Sequence, residues 1–358
     1  MSTPQILIVG AGPAGLACAL ALTKAKVPVI IIDKNESPSL YSRAISITPT
    51  TLSLLHNYGV TEKLIAAGKK IEHSEIFYNH EHLCSLDWHN LIHHYPFLLS
   101  LPQNKTEQVL TECLKEMGVH IVRNTTLIDI MPCYDLIKVH LLKEGERDEI
   151  MVRYVLGADG AHSAVRKLMG INYTSEQLEQ KLYLADVQLK TESADNSSRL
   201  FLSNDRMTMV APIGEGDYRI IANTPEYAAM IPKDAITNTH WHSDFTVTCR
   251  SVANFHKGNV FLAGDAAHIQ PPFPGLGLNF GIEDAISFTE HYLRGTLDQY
   301  GPQRKARTAI ALSNALWLIR WTTVSKPFLI KIRNFMLKHW FSRARFQKSL
   351  LRKLSGVD

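Results

Sequence analysis

Apolar and polar positions change period several times along this chain. Residues 5–9 (QILIV) are a short apolar run of buried-strand length, and 16–25 continue it as a helix. Residues 29–32 (VIII) read as a second buried strand, and a helix is predicted over 50–58. Over 71–101 apolar and polar residues alternate, which predicts a solvated antiparallel hairpin. A helix then runs from 101 to 117, and 119–122 and 137–142 read as strands. Alternation returns over 182–189, 200–202, 207–210 and 218–222. These segments lack βαβ spacing, so 172–255 is read as a mainly antiparallel sheet inserted into the first unit. Residues 260–263 return to a buried strand, and from Asn279 the pattern is helical, with Ile282, Ile286 and Phe288 on one side.

Three stretches at strand ends carry chemistry. The first is Gly10-Ala11-Gly12-Pro13-Ala14-Gly15, placed between the first strand and its helix. Its first glycine makes the turn, its second admits a pyrophosphate against the backbone, and its third lets helix and strand pack. The next strand ends in Asp33, followed by Lys34, where a carboxylate suits a ribose hydroxyl. This order predicts a bound dinucleotide without saying which. Arg43 follows, either as a cation for the pyrophosphate or as a surface arginine. The second stretch, residues 154–166, is another strand-to-helix turn, tipped by Asp159. The third runs from Gly264-Asp265 through a loop stiffened by prolines to a helix start at Gly275–Asn279. Asp265 is placed to accept from a sugar or ribityl hydroxyl. Backbone donors at that helix start favour negative charge, such as a reduced flavin's N1–C2=O edge. A strand–loop–helix turn without ligand is the alternative.

Composition narrows the class. The chain has 358 residues, is 45% hydrophobic and 20% charged, and suits a globular protein of two domains. Five cysteines, odd in number and without CxxC spacing, argue against a disulfide framework or cysteine metal site and for a reducing, cytoplasmic setting. The histidines at 73, 80, 82, 89, 93 and 94 show no HxxxH or HExxH pattern, so no metal site is assigned. Net charge is +4, but residues 325–358 hold nine Lys/Arg against one acid, which leaves the rest mildly acidic. A nucleic-acid-binding core is not indicated. The apolar stretch 6–22 is interrupted by glycines and a proline and reads as strand plus helix, not as a targeting segment.

Taken together, the three turns resemble those of the class A flavoprotein monooxygenases, the single-component aromatic hydroxylases of the para-hydroxybenzoate, phenol and pentachlorophenol hydroxylase kind. "GADGAHSAVRKLMGI" is similar to the family's second motif and "FLAGDAAHIQPPFPGLGLNFGIEDA" to its third. "SRAISITPTTLSLL" resembles the segment after strand two, and "LPQNKTEQVL" the helix whose glutamine contacts FAD. The resemblance implies an α/β fold: an FAD-binding Rossmann-like domain of the GR2 type, an inserted mainly antiparallel substrate sheet, and C-terminal helices. The FAD-binding domain would comprise 1–70, 102–171 and 256–300, the substrate domain 71–101 and 172–255, and the helical segment 301–358. It also implies FAD contacts at Gly10, Gly12, Pro13, Ala14, Gly15, Asp33, Lys34, Arg43, Gln103, Asp159, Gly264, Asp265, Pro272, Gly275, Gly277, Leu278 and Asn279. His162 and Arg166 become candidates for the nicotinamide cofactor. Asp33 departs from the family's usual Glu, Leu276 from a common Gln, and Leu278 from a common Met. The thioredoxin-like C-terminal domain of the phenol hydroxylase branch and the halogenase WxWxIP signature are absent from the sequence.

The chemistry implied is reduction of FAD by NADPH or NADH, addition of O2 at flavin C4a, and transfer of one oxygen from the hydroperoxide to an aromatic, phenolic or quinone-like small molecule. No catalytic side chain is assigned. A substrate-deprotonating base would come from the inserted sheet, where Tyr183, Tyr218 and the histidines of 73–94 stand open. Two other readings remain: an FAD-dependent reductase without oxygen insertion, and a flavin-binding redox module without turnover.

The segment 325–358 has two readings. Phe328, Leu329, Ile332, Phe335, Met336, Trp340, Phe346, Leu350, Leu351 and Leu354 recur at helical spacing among basic residues. Such a helix either lies in an anionic membrane surface or packs on the chain's own sheet.

Overall fold

The computed structural model describes residues 5–38, 44–190, 196–232, 235–271 and 275–356. The chain opens with β1 (Ile6–Val9), α1 (Pro13–Lys24) and β2 (Val29–Ile32). Next come β3 (Ser46–Ile47), α2 (Pro49–His56), α3 (Thr61–Ala67) and β4 (Lys69–Ile71). The hairpin β5 (His73–Tyr78) and β6 (Glu81–Asp87) precedes β7 (Leu98–Ser100) and α4 (Gln103–Glu116). A meander of β8 (Thr125–Cys133), β9 (Leu136–Lys143) and β10 (Glu146–Val152) leads to β11 (Tyr154–Gly157) and α5 (Ala164–Leu168). Then come β12 (Tyr173–Leu189), β13 (Ser197–Ser203), β14 (Arg206–Pro212), β15 (Asp217–Ala222) and β16 (Ile236–Val252). The chain returns through β17 (His256–Lys257), β18 (Val260–Leu262) and β19 (His268–Ile269), and ends in α6 (Gly277–Arg294), α7 (Leu297–Thr322), α8 (Pro327–His339) and α9 (Ala344–Ser355).

Among the described residues these strands form four sheets. The first, in order β17-β18-β11-β1-β2, has β18, β11, β1 and β2 parallel. All four residues of β1 are buried, as expected for a strand covered on both faces. α1 packs on α6 and α4 around this sheet. The second is the meander, in order β10-β9-β8. The third has eight strands, β19-β16-β12-β15-β14-β13-β5-β6, antiparallel except where β13 meets β5. The hairpin of 73–87 and the strands of 173–252 therefore share one sheet. The fourth, β3-β7-β4, is small.

Several local expectations are corrected. The strand read at 119–122 is only a bridge between Val122 and Ile32. The outer meander strands β8 and β10 were not read, nor was β16, which at 17 residues equals β12 in length. The tail is two helices separated around residues 340–343. One side packs on the chain itself: Leu337, Leu350 and Leu351 are buried with Leu83, Cys84, Leu86 and Trp88. Gln347 fastens α9 there, accepting from the Asp87 N–H at 3.0 Å and donating to Ser85 O at 2.9 Å.

Candidate cofactor site

Parallel pairing puts four strand ends side by side. β2, β1, β11 and β18 are consecutive neighbours, so Asp33, the Gly10–Gly15 loop, Asp159 and the Gly264-Asp265 turn share one edge. Backbone bonds hold that edge level: Gly10 N–H donates to Ile32 O at 2.8 Å, Ala158 N–H to Val9 O at 2.8 Å, and Ala263 N–H to Gly157 O at 2.9 Å. Open α/β sheets take their ligands at this carboxyl edge.

The fingerprint glycines separate by what a side chain would meet. At Gly10, with φ +104°, a Cβ would lie 2.4 Å from Ala158 O, and at Gly15 it would lie 1.9 Å from Gly10 O. Those two are required by the protein's own packing. At Gly12 a Cβ would meet nothing within 4 Å. Gly12 is also the N-cap of α1, with no side-chain cap, and Pro13 takes the first turn. The helix's first N–H groups and dipole thus open onto unfilled space, the environment that binds pyrophosphate. Ala14 packs beneath, its Cβ 3.4 Å from where a Cβ on Gly281 would stand.

The acids differ in their partners. Asp33 Oδ2 accepts from the Ala11 N–H at 2.7 Å and Oδ1 from Asn35 N–H at 2.8 Å, so the carboxylate braces the fingerprint loop. Arg123 Nη1 lies 3.8 Å away, and Lys34 is exposed beside it. Asp159 Oδ2 accepts from Ala164 and Val165 N–H at 2.6 and 3.2 Å, which caps α5, while Oδ1 is buried without a partner among the described residues. Asp265 is exposed on a turn whose Gly264 N–H donates to Asp284 Oδ2 at 2.8 Å.

Arg166 and Asn279 are spent largely on internal bonds. The Arg166 guanidinium is buried and donates to Tyr173 Oη, Ala266 O and Ala161 O at 2.8, 3.1 and 3.0 Å. Tyr173 in turn donates to Asp265 O at 2.8 Å, and burial pushes its hydroxyl up to about 12. The pair pins the second turn to the third. His162, four residues before Arg166, is exposed. Asn279 accepts from Thr48 N–H at 2.9 Å and donates to Ser46 O and Gly275 O at 2.9 and 3.0 Å, which fixes the loop entering α6. That helix starts without a side-chain cap at Leu276, and a Cβ on Gly277 would meet nothing within 4 Å. Leu278 is buried. Gln103, first residue of α4, donates to Glu107 Oε1 at 2.8 Å. Arg43 and Pro272 lie outside the described residues.

Sequence reasoning overlooked the support beneath the third turn. His268 Nε2 donates to Asp284 Oδ2 at 2.6 Å and Arg304 Nε donates to Asp284 Oδ1 at 2.5 Å, all within the interior. The histidines of 73–94 take separate partners: His82 meets Glu75, His73 and His89 both face Asp87, and His93 meets Ser53.

The residues fit a flavin dinucleotide. The starts of α1 and α6 lack side-chain caps and each has a glycine that faces open space, and one acid at the shared edge keeps a buried oxygen unpaired. A diphosphate and a flavin ring edge would supply the missing acceptors there, and ribityl or ribose hydroxyls the missing donor. Comparison decides the family: the FAD binding domain model matches residues 3–229 and 223–315. The chain belongs to the class A flavoprotein monooxygenases. It is 31% identical over 346 residues to a 6-methylpretetramide 4-monooxygenase of Streptomyces rimosus, covering 86% of this chain and 62% of that one. It is 30% identical over 304 residues to the pentachlorophenol 4-monooxygenase of Sphingobium chlorophenolicum, covering 79% and 56%. The chain thus spans less than two-thirds of the length of these curated relatives. The crystal structure of p-nitrophenol 4-monooxygenase PnpA from Pseudomonas putida DLL-E4 shares the fold, with a TM-score of 0.90 at 24% identity over 99% of both chains. FAD is this family's cofactor. No helix among the described residues is long and apolar enough to cross a membrane.

Proposed function

We propose that this protein is an FAD-dependent monooxygenase that uses NADPH or NADH and O2 to hydroxylate an aromatic small molecule. The observation that carries the reading is the strand edge itself, where Asp159 keeps a buried oxygen unpaired and the starts of α1 and α6 open onto unfilled space. Leu182, Leu184, Ala211 and Ile221 of the eight-stranded sheet are buried together with Ile45 from the segment before β3, and Ile269 of β19, on the same sheet, packs against them. An aromatic ring held there is shielded from water. The relatives named above act on aromatic compounds, which supports the same substrate class here. The division into an FAD-binding domain (1–70, 102–171, 256–300) and a substrate domain (71–101, 172–255) belongs to this reading.

Bound FAD supplies hydride acceptance from the nicotinamide, O2 activation and oxygen transfer. The chain's own residues bind and orient. In this reading the α1 start at Gly12 and Pro13 receives the diphosphate, Asp265 and Asp159 hold hydroxyls, and backbone N–H groups at Gly275–Asn279 stabilise negative charge on the ring. Arg166 and Tyr173 act by holding the second and third turns together. The test is turnover of a panel of phenols, quinols and polyketides with NADPH under isotopically labelled O2. Label in the product is the expected result; product without label returns the reading to an oxygen-independent oxidoreductase.

Five free cysteines, four of them buried, support a cytoplasmic setting. We also infer peripheral contact of α8 with anionic membrane. Phe328, Phe335 and Trp340 are 73%, 56% and 46% exposed beside Lys331 and Lys338. Cosedimentation with anionic but not neutral vesicles at low salt supports it, and equal binding to both overturns it.

A further inference from the structure

The basic residues of α9 do not simply face outward. Arg345, Lys348 and Arg352 recur on one side of the helix, and with Lys353 they border a cavity of about 460 Å³. Its opposite wall comes from α7, through Arg307 and Asn314, and from the first turn of α6. Leu276, Phe280 and Ala311, each at most 4% exposed, make an apolar floor. Arg307 is already tethered, donating to Gly356 O at 2.8 Å and lying 3.4 Å from Glu283. Arg345, Lys348, Arg352 and Lys353 make no ion pair among the described residues. Among the described residues no carboxylate lines the cavity. The presentation is rigid, because Gln347 locks the other side of α9 to the hairpin.

An apolar floor under Arg345, Lys348 and Arg352, with the Lys353 ammonium held 4.8 Å from the Trp317 ring centroid, fits a flat ring that carries phosphates. The volume lies within the range of small-molecule sites, and guanidinium groups take phosphate oxygens in pairs. The FAD diphosphate has its own place at the α1 N-terminus, on the strand edge. Arg166, in the helix that follows the second turn, is committed to Tyr173 and two carbonyls. The cavity also borders the turn that begins α6, since Leu276 lines it and Gly277 follows. We propose that this cavity binds the phosphorylated adenosine end of the nicotinamide reductant, and that Arg345, Lys348 and Arg352 select its 2′-phosphate, so that NADPH is used in preference to NADH. The proposal rests on the monooxygenase reading for its reductant, but not on oxygen insertion.

The test is calorimetric titration of the flavin-loaded full chain with 2′,5′-ADP, which binds without reducing anything. Binding at least tenfold tighter than 5′-AMP is expected, weakening as salt rises. Arg345→Glu with Arg352→Glu should weaken 2′,5′-ADP binding tenfold or more and raise KM for NADPH, with FAD affinity and melting temperature unchanged. Arg345→Lys with Arg352→Lys should recover part of the loss. Three results overturn the proposal: 2′,5′-ADP bound no better than 5′-AMP, charge reversal without effect, or inorganic phosphate or phosphatidylglycerol vesicles displacing it as well as NADPH does. The titration requires no turnover. Tight 2′,5′-ADP binding without labelled product would therefore leave this site standing and remove the hydroxylase reading alone.

Discussion

His268 and Asp284 form a buried pair beneath the third turn, Nε2 to Oδ2 at 2.6 Å, with the two side chains 1% and 0% exposed. Burial alone would push the Asp284 carboxyl up. The charges of His268 and Arg304, with the Gly264 N–H, outweigh it and hold the group below the usual carboxylate range. Such a pair fixes geometry more than it stabilises, but removing one partner strands the other. Asp284→Asn is expected to lower unfolding stability by about 3–5 kcal/mol at neutral pH. A carboxyl depressed on folding contributes stability that is present above its ordinary value near ~4 and lost as pH falls through the folded value. Urea unfolding of wild type should therefore weaken across that acid window, and the Asp284→Asn profile should be flatter there.

Gly12 and Gly15 give opposite outcomes on substitution. Gly15→Ala places a methyl group 1.9 Å from Gly10 O, so the loop must shift and the melting temperature should fall. Gly12→Ala meets open space within the chain, and its φ of −79° suits alanine. That variant should melt close to wild type without flavin, yet bind FAD at least tenfold more weakly in a fluorescence titration. Unchanged FAD affinity would remove the diphosphate from this helix start.

Glu107 is a carboxylate in an unfavourable setting. Burial raises it, and the Gln103 amide and the Arg123 charge only partly offset that. A carboxyl raised on folding loses stability as pH climbs from about 4.3 through the folded value, after which the full penalty applies. Glu107→Gln keeps an acceptor for Gln103 and removes the charge. It should stabilise the protein at pH 8 and leave it unchanged near pH 4, read from denaturant midpoints.

Local pattern exposed the site better than it exposed the sheet that covers it. Gly10, Asp33, Asp159 and Asp265 were legible because each sits where a short apolar run stops, a signal only a few residues wide. β16 was not, since its run through Asn238, His240, His242 and Asp244 puts polar groups on an outer edge and hides the buried half. The roles of Arg166 and Asn279 were illegible for another reason. Their partners, Ala266 O and Thr48 N–H, lie 100 and 231 residues away in sequence. The basic residues of 325–358 were legible only as the polar remainder of an amphipathic pattern, because what stands across from those of α9 comes from α6 and α7 and leaves no trace in that period.

The thiols separate by burial. Cys18 and Cys84 are pushed up to about 12 and Cys249 to about 11, each by burial, and Cys113 is raised as well. Cys133, on β8, is half-buried. A disulfide reagent at pH 8 should therefore consume one thiol quickly and the rest only on unfolding. Cys133→Ser should abolish the fast phase; a second rapid equivalent would show that one of the buried positions opens.

The first sheet draws neighbouring strands from Ile6–Val9, Tyr154–Gly157 and Val260–Leu262. On the ribosome, β1 is finished long before either later strand exists. At roughly 5–20 residues per second the wait is on the order of tens of seconds. Throughout it the apolar ILIV and VIII segments have each other but no β11 to close against, and loop closure over such separations is slow. Synthesis rate and chaperone supply, more than final stability, should set how much of this protein is recovered folded from a cell.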